Sequence, residues 1–198
     1  IELVFVIVVL GILAALAIPR LERDLRQEAA DNILSAIRYT QHLALNDNKT
    51  NPFDSSWQKE FWTIHFSLDG DGRYIYTVSS NTDHVTSVSI DESAIDPTNG
   101  KYMYTDDNVI DDDESPSIFI GKSYGIESIN FDGGCPDADQ QHIAFDHLGR
   151  PHNNVGAASY DYGTYMASDC TITVDFIDDS ITDLIITVAT ETGYASGN

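Results

Sequence analysis

From Leu3 to Ile18 the chain reads LVFVIVVLGILAALAI, sixteen residues without a charge or a strong hydrogen-bonding side chain. A helix of that composition is apolar on every side, so lipid or other copies of itself must surround it. At 1.5 Å per residue the run rises about 24 Å, slightly short of a hydrocarbon core of roughly 30 Å. After Pro19 the period changes: Leu21, Leu25, Ala29, Ala30, Ile33, Leu34, Ile37, Ala44 and Leu45 recur three and four residues apart, with Arg20, Glu22, Arg23, Asp24, Arg26, Glu28 and Asp31 on the other faces. This is the signature of an amphipathic helix. The pattern predicts one helix of about 70 Å, locally opened between Gly11 and Pro19, because proline lacks an N–H and clashes with the preceding turn.

Past Asn48 the period becomes two. FWTIHFSL (61 to 68), RYIYTVSS (73 to 80) and HVTSVSI (84 to 90) read as an antiparallel meander, and Asp69-Gly70-Asp71-Gly72 supplies the turn residues of its first hairpin. Further strands are expected near 117 to 120, 125 to 131, 141 to 145, 170 to 177 and 183 to 190, after an acidic loop from Asp91 to Ser115. The expected fold is α+β, a long N-terminal helix packed on a C-terminal antiparallel β-sheet domain. It divides into a membrane or filament-core segment (1–19), its amphipathic continuation (20–50) and an acidic β-rich globular domain (51–198).

Charge sharpens that division. The formal net charge is -22, and residues 50 to 198 carry 26 Asp/Glu against five Lys/Arg. Such a surface repels phosphate, so no nucleic-acid partner is expected. A DNA-capturing role would need a basic patch, for which Lys59, Arg73, Lys101, Lys122 and Arg150 are the candidates past residue 50. Two cysteines, Cys135 and Cys170, in a β-rich domain that reads as exported suggest one disulfide, with a pair of buried thiols as the alternative.

Glu2 complicates a plain membrane anchor, since a carboxylate in hydrocarbon costs several kcal/mol unless neutralised. A cleavable signal peptide fits poorly, because no basic region precedes the apolar run and the helical pattern continues beyond Pro19. Gly11 and Ala15, four apart, form with Ala14 and Ala17 a small-residue strip that lets helices approach closely in an apolar medium. The opening Ile-Glu-Leu, the apolar run, Gly-Ile-Leu-Ala-Ala and the closing Pro19 resemble the N-terminal segment of type IV pilins and type II secretion pseudopilins.

The resemblance covers Ile1 to about Asn48 and implies processing by a prepilin peptidase and N-methylation of the new first residue. It further implies residence in the bacterial inner membrane, then assembly into a homo-oligomeric helical filament, periplasmic or extracellular, with other pilins or pseudopilins as partners. Glu2 corresponds to the acidic residue that pairs with a neighbour's terminal amine, and Gly11, Ala15 and Pro19 join it as assembly residues. Family members usually carry Phe-Thr-Leu ahead of the Ile-Glu at which this chain begins, so omission of those residues is expected. The arginines at 20, 23 and 26 run against a periplasmic C-terminus under the positive-inside tendency. Ile143 to Pro151 and Thr190 to Tyr194 resemble the strand-and-glycine-turn endings of H-type minor pseudopilins.

No enzymatic role is expected. Gly121-Lys122-Ser123-Tyr124-Gly125 fits the spacing of a hydrolase nucleophile elbow, but the following IESINF alternates as a strand where a helix is required, so Ser123 is assigned to a hairpin turn. His142, His147 and His152 recur every five residues, a spacing that suits no single face, and are read as surface histidines. Asp111, Asp112, Asp113 and Glu114 concentrate hard oxygen donors of the kind calcium uses, although without an EF-hand pattern. Calcium at a C-terminal loop is also a feature of some pseudopilins. Asn48-Lys49-Thr50 is a glycosylation sequon to which no role is assigned. The rival reading from another class is a membrane-anchored periplasmic binding or hydrolytic domain that uses the helix only as a tether.

Overall fold

The computed structural model describes residues 2–85, 87–107, 109–135, 141–157 and 162–198 and, inside the first helix, the side chains of Val4, of residues 6–12 and of Leu25 onward. That helix, α1 (Glu2–Asn46), is one continuous element. Its second half is buried as the spacing predicts, with Ala29, Ala30, Ile33, Leu34, Ala36, Ile37 and Ala44 inside the core, whereas Leu45 faces solvent.

The expectation of a long helix packed on one sheet is corrected. The fold is chiefly β, with two four-stranded antiparallel sheets. In the first, β1 (Trp62–Leu68) lies between β2 (Tyr74–Ser79) and β4 (His142–Phe145), and β5 (Pro151–His152) pairs with β4. In the second, β3 (Ile126–Gly133), β6 (Cys170–Phe176), β7 (Leu184–Val188) and β8 (Ala195–Gly197) are neighbours in that order. The physical reason is that a period of two reports which residues face a core but not which strands pair. Both sheets turn one apolar face inward: Ile64 and Phe66 from β1 share a core with Ile172, Val174 and Phe176 from β6, and Phe66 lies 5.8 Å from Phe131 between ring centroids. α1 touches β1 and β4 of the first sheet and β7 and β8 of the second, so it is laid across both.

Two of the expected strands are absent among the described residues. Those described between 84 and 90 form a loop that leads into a 3-10 turn, Ile90–Glu92, and 117 to 120 lies in the 3-10 turn Pro116–Ile118 and the start of a short helix, α2 (Ile120–Tyr124). Glu92 accounts for the first. Its carboxylate accepts hydrogen bonds from the Thr82 and Asp83 N–H groups, the Thr82 hydroxyl, and the N–H and hydroxyl of Ser89. A chain wrapped around a carboxylate cannot also offer its N–H groups to a strand ladder.

Cys135 and Cys170 are joined as a disulfide that links the end of β3 to the start of β6, 35 residues apart in sequence. In the chain-entropy view, closing a loop of that length contributes roughly 3 to 4 kcal/mol. The double variant Cys135→Ala, Cys170→Ala is expected to lose about that much in urea unfolding; an unchanged midpoint would contradict the assignment of a stabilising role.

Candidate functional site

The described part of the apolar run is bare. Val4, Val6, Ile7, Val8, Val9, Leu10 and Ile12 keep between 37 and 64 % of their surface exposed, and a Cβ added at Gly11 would meet nothing within 4 Å. Of the four assembly residues only Gly11 falls among the described side chains; those of Glu2, Ala15 and Pro19 lie outside them. Among the described residues no helix is long and apolar enough to cross a membrane, and the second part of the apolar run lies outside the described side chains.

Farther along α1, polar side chains clamp the helix to the β domain, chiefly through its loops and turns. Arg26 donates to the carbonyls of Thr182 and Asp183, Arg38 to that of Ala195, and Asn32 to that of Ser117. Gln41 donates to the carbonyls of Gly149 (2.8 Å) and Thr192 (2.7 Å), so the two glycine turns singled out in the sequence meet over one side chain. Gly193, at φ 64°, packs so tightly there that a Cβ would fall 2.3 Å from the Gly149 carbonyl oxygen. Only glycine supplies both the positive φ and the room.

The turn at Gly149 has a twin. In both Asp69-Gly70-Asp71-Gly72-Arg73 and Asp146-His147-Leu148-Gly149-Arg150, the aspartate side chain accepts from the N–H groups two and four residues on, while its backbone pairs with the arginine four residues on. Each arginine also reaches the carboxylate that opens its turn. The Asp-x-x-Gly-Arg repeat is the sequence signal for this device. Asp146 gathers Arg150 at 2.6 Å and His152 at 3.4 Å. Burial pushes its carboxyl up, but the hydrogen bonds from His152, Arg150 and Leu148 outweigh that and hold it well below the ordinary carboxylate range.

Two of the three periodic histidines are therefore not surface residues. His142 and His152 are buried strand residues, and only His147 sits in a turn, 3.3 Å from the Thr50 hydroxyl. Asn48 of the sequon accepts from the Thr50 N–H in a local turn. Ser123 lies in α2 rather than a hairpin. The order of elements there is helix, then Gly125 at φ 67°, then β3, the reverse of the strand-turn-helix that a nucleophile elbow needs. Gly121 is required instead by packing, since a Cβ would fall 2.5 Å from the Tyr74 backbone nitrogen.

The acidic loop is built around its carboxylates. Asp96 accepts from the hydroxyls of Thr98, Ser115 and Ser117. Asp111, Asp112 and Asp113 are exposed, while Glu114 is buried and accepts from the Asp111 N–H at 3.3 Å. Burial, with Asp111 and Asp107 nearby, raises the Glu114 carboxyl above its ordinary range. Among the described residues the set whose donor atoms lie within 4.8 Å of one another is Asp54, Glu60 and His84. Beside that set, a cleft of about 670 Å³ is lined by Lys59, His65, His84, Tyr104 and His142. Burial pushes the His65 imidazole down, toward the neutral form.

Comparison with protein-family models, with curated proteins and with solved structures finds no match to this chain.

Proposed function

We propose that this chain is the structural subunit of a pilin-like filament, held in the membrane by its apolar rod until the rod is buried among sister rods. One observation carries the reading: a single helix has two fates, inserted in the β core from Ala29 onward and uncovered at Val4 and from Val6 to Ile12. A contiguous apolar surface of that extent is not left in water, so it marks a contact with lipid or with other chains. The resemblance of the first 48 residues to pilins selects assembly as the outcome, and it gives Glu2 a partner in the terminal amine of a neighbour. The β domain faces outward and keeps the filament soluble through its acidic surface.

Removal of residues 1–24 tests this against the tethered-domain alternative. The shortened chain is expected to remain a folded monomer by circular dichroism and ultracentrifugation, because the buried face of α1 starts at Ala29, and to form no fibres at any concentration. Fibres from the shortened chain, or a binding or hydrolytic activity that survives the deletion, would overturn the proposal.

A further inference from the structure

We propose that Asp54, Glu60 and His84 form a binding site for a divalent transition-metal ion of the zinc type. The inference is independent of filament assembly. Two carboxylates and one imidazole are the donor set of zinc and its first-row neighbours, and the imidazole disfavours calcium and magnesium, which take oxygen. Three protein ligands leave a position for water or a further donor, the arrangement of an open rather than a closed zinc site.

The placement of the three does not depend on their own side chains meeting. Asp54 precedes the 3-10 turn Trp57–Glu60 and Glu60 closes it, and Trp57 is buried with Phe61, Ala144 and Val155 in a small core of its own. Asp54 Oδ1 accepts from the Ser56 N–H at 2.8 Å, leaving its other oxygen for an ion. The Ser80 hydroxyl donates to the Glu60 carbonyl at 2.6 Å, fixing that residue's backbone against the end of β2. His84 is held from the other side by the loop that Glu92 organises, with Thr82 and Asp83 tied to that carboxylate. The two segments bring His84 Nε2 to 3.0 Å from Glu60 Oε1. At bonds of about 2.0 to 2.1 Å, neighbouring donors on a tetrahedral zinc lie about 3.3 Å apart. The donor atoms of Asp54, Glu60 and His84 all lie within 4.8 Å of one another. All three residues are half-buried, so the ion would be partly shielded, and His84 opens it onto the cleft that also carries His65 and His142.

The untagged full chain in detergent micelles, titrated with cobalt(II) and with zinc(II), tests the site. One equivalent of cobalt is expected to give visible d–d absorption that zinc displaces, and zinc is expected to raise the thermal midpoint. His84→Gln and Glu60→Gln should each weaken binding at least tenfold and abolish the thermal shift while preserving the circular dichroism spectrum. His147→Gln, at a histidine outside the set, should change nothing. Absence of stoichiometric binding by the wild-type chain, or equal affinity in His84→Gln, would overturn the assignment.

Discussion

Val8→Asp is expected to abolish fibre formation while leaving the thermal midpoint of the β domain within about a degree of the parent. Val8 is half exposed in the isolated chain, with the folded core beginning twenty residues away at Ala29, so the substitution has little to disturb in the monomer. In a bundle of rods the same position is surrounded by apolar neighbours, and an unpaired carboxylate there costs about 3 kcal/mol or more. Since each 1.4 kcal/mol is about a tenfold change in an equilibrium constant, the critical concentration for assembly should rise more than a hundredfold. Sedimentation of fibres across a concentration series reads this directly. Fibres formed at the parental concentration would mean that the rod's surface stays in contact with water or polar groups in the assembled state.

Asp146→Ala is expected to destabilise the β domain by about 3 kcal/mol. It removes the acceptor shared by the Leu148 and Arg150 N–H groups and strips Arg150 and the buried His152 of their carboxylate. Breaking a buried pair from one side leaves the other side uncompensated, which costs more than the pair itself contributes. Asp146→Asn keeps an acceptor but not the charge and should lose less. Urea unfolding of the two variants gives the order; equal stability of parent and Asp146→Ala would show that the turn is held by its backbone alone.

The same groups fix the sign of the acid response. Asp146 and Glu92, the latter at about 2 in the folded chain, have folded pKa values below their ordinary ones. Burial raises both, but the hydrogen bonds they accept dominate, so the unfolded chain takes up protons first and stability falls with pH from the ordinary carboxyl range near 4 downward. His65 acts in the same direction over an earlier window, starting near pH 6.5, because desolvation at the cleft wall makes its imidazole resist the proton that the unfolded chain accepts. Glu114, whose carboxyl is raised, opposes the trend just above pH 4.5. The acid limb should therefore be shallower in Asp146→Ala than in the parent.

The amphipathic face of α1 was readable because Ala29 to Ala44 repeat at helical spacing, and the first hairpin because Asp-Gly pairs sit between two alternating runs. The partition into two sheets was not, since strand pairing is decided by distant segments: β1 joins β4 across more than seventy intervening residues, and β3 joins β6. Threonine and serine at 82 to 89 imitate a strand, although Ser89-Ile90-Asp91-Glu92 carries the Ser-x-x-Glu spacing of a capping box, the local signal that identifies the turn. The short strands β5 and β8 leave no mark in the sequence, because two or three residues cannot display a period. Asp54, Glu60 and His84 come from two segments whose approach depends on Glu92 and Trp57, so no linear spacing announces them. The bare rod, by contrast, is written in the sequence itself, because an unbroken apolar run leaves no polar face to turn toward water.

Cryo-electron microscopy of the full chain after detergent removal tests the central claim most directly. The account predicts fibres with residues 4 to 12 of every subunit packed around the axis and the two-sheet domains outside. Chains that stay single in lipid or micelles, or fibres held together through the β domains with the rods uncovered, would contradict it.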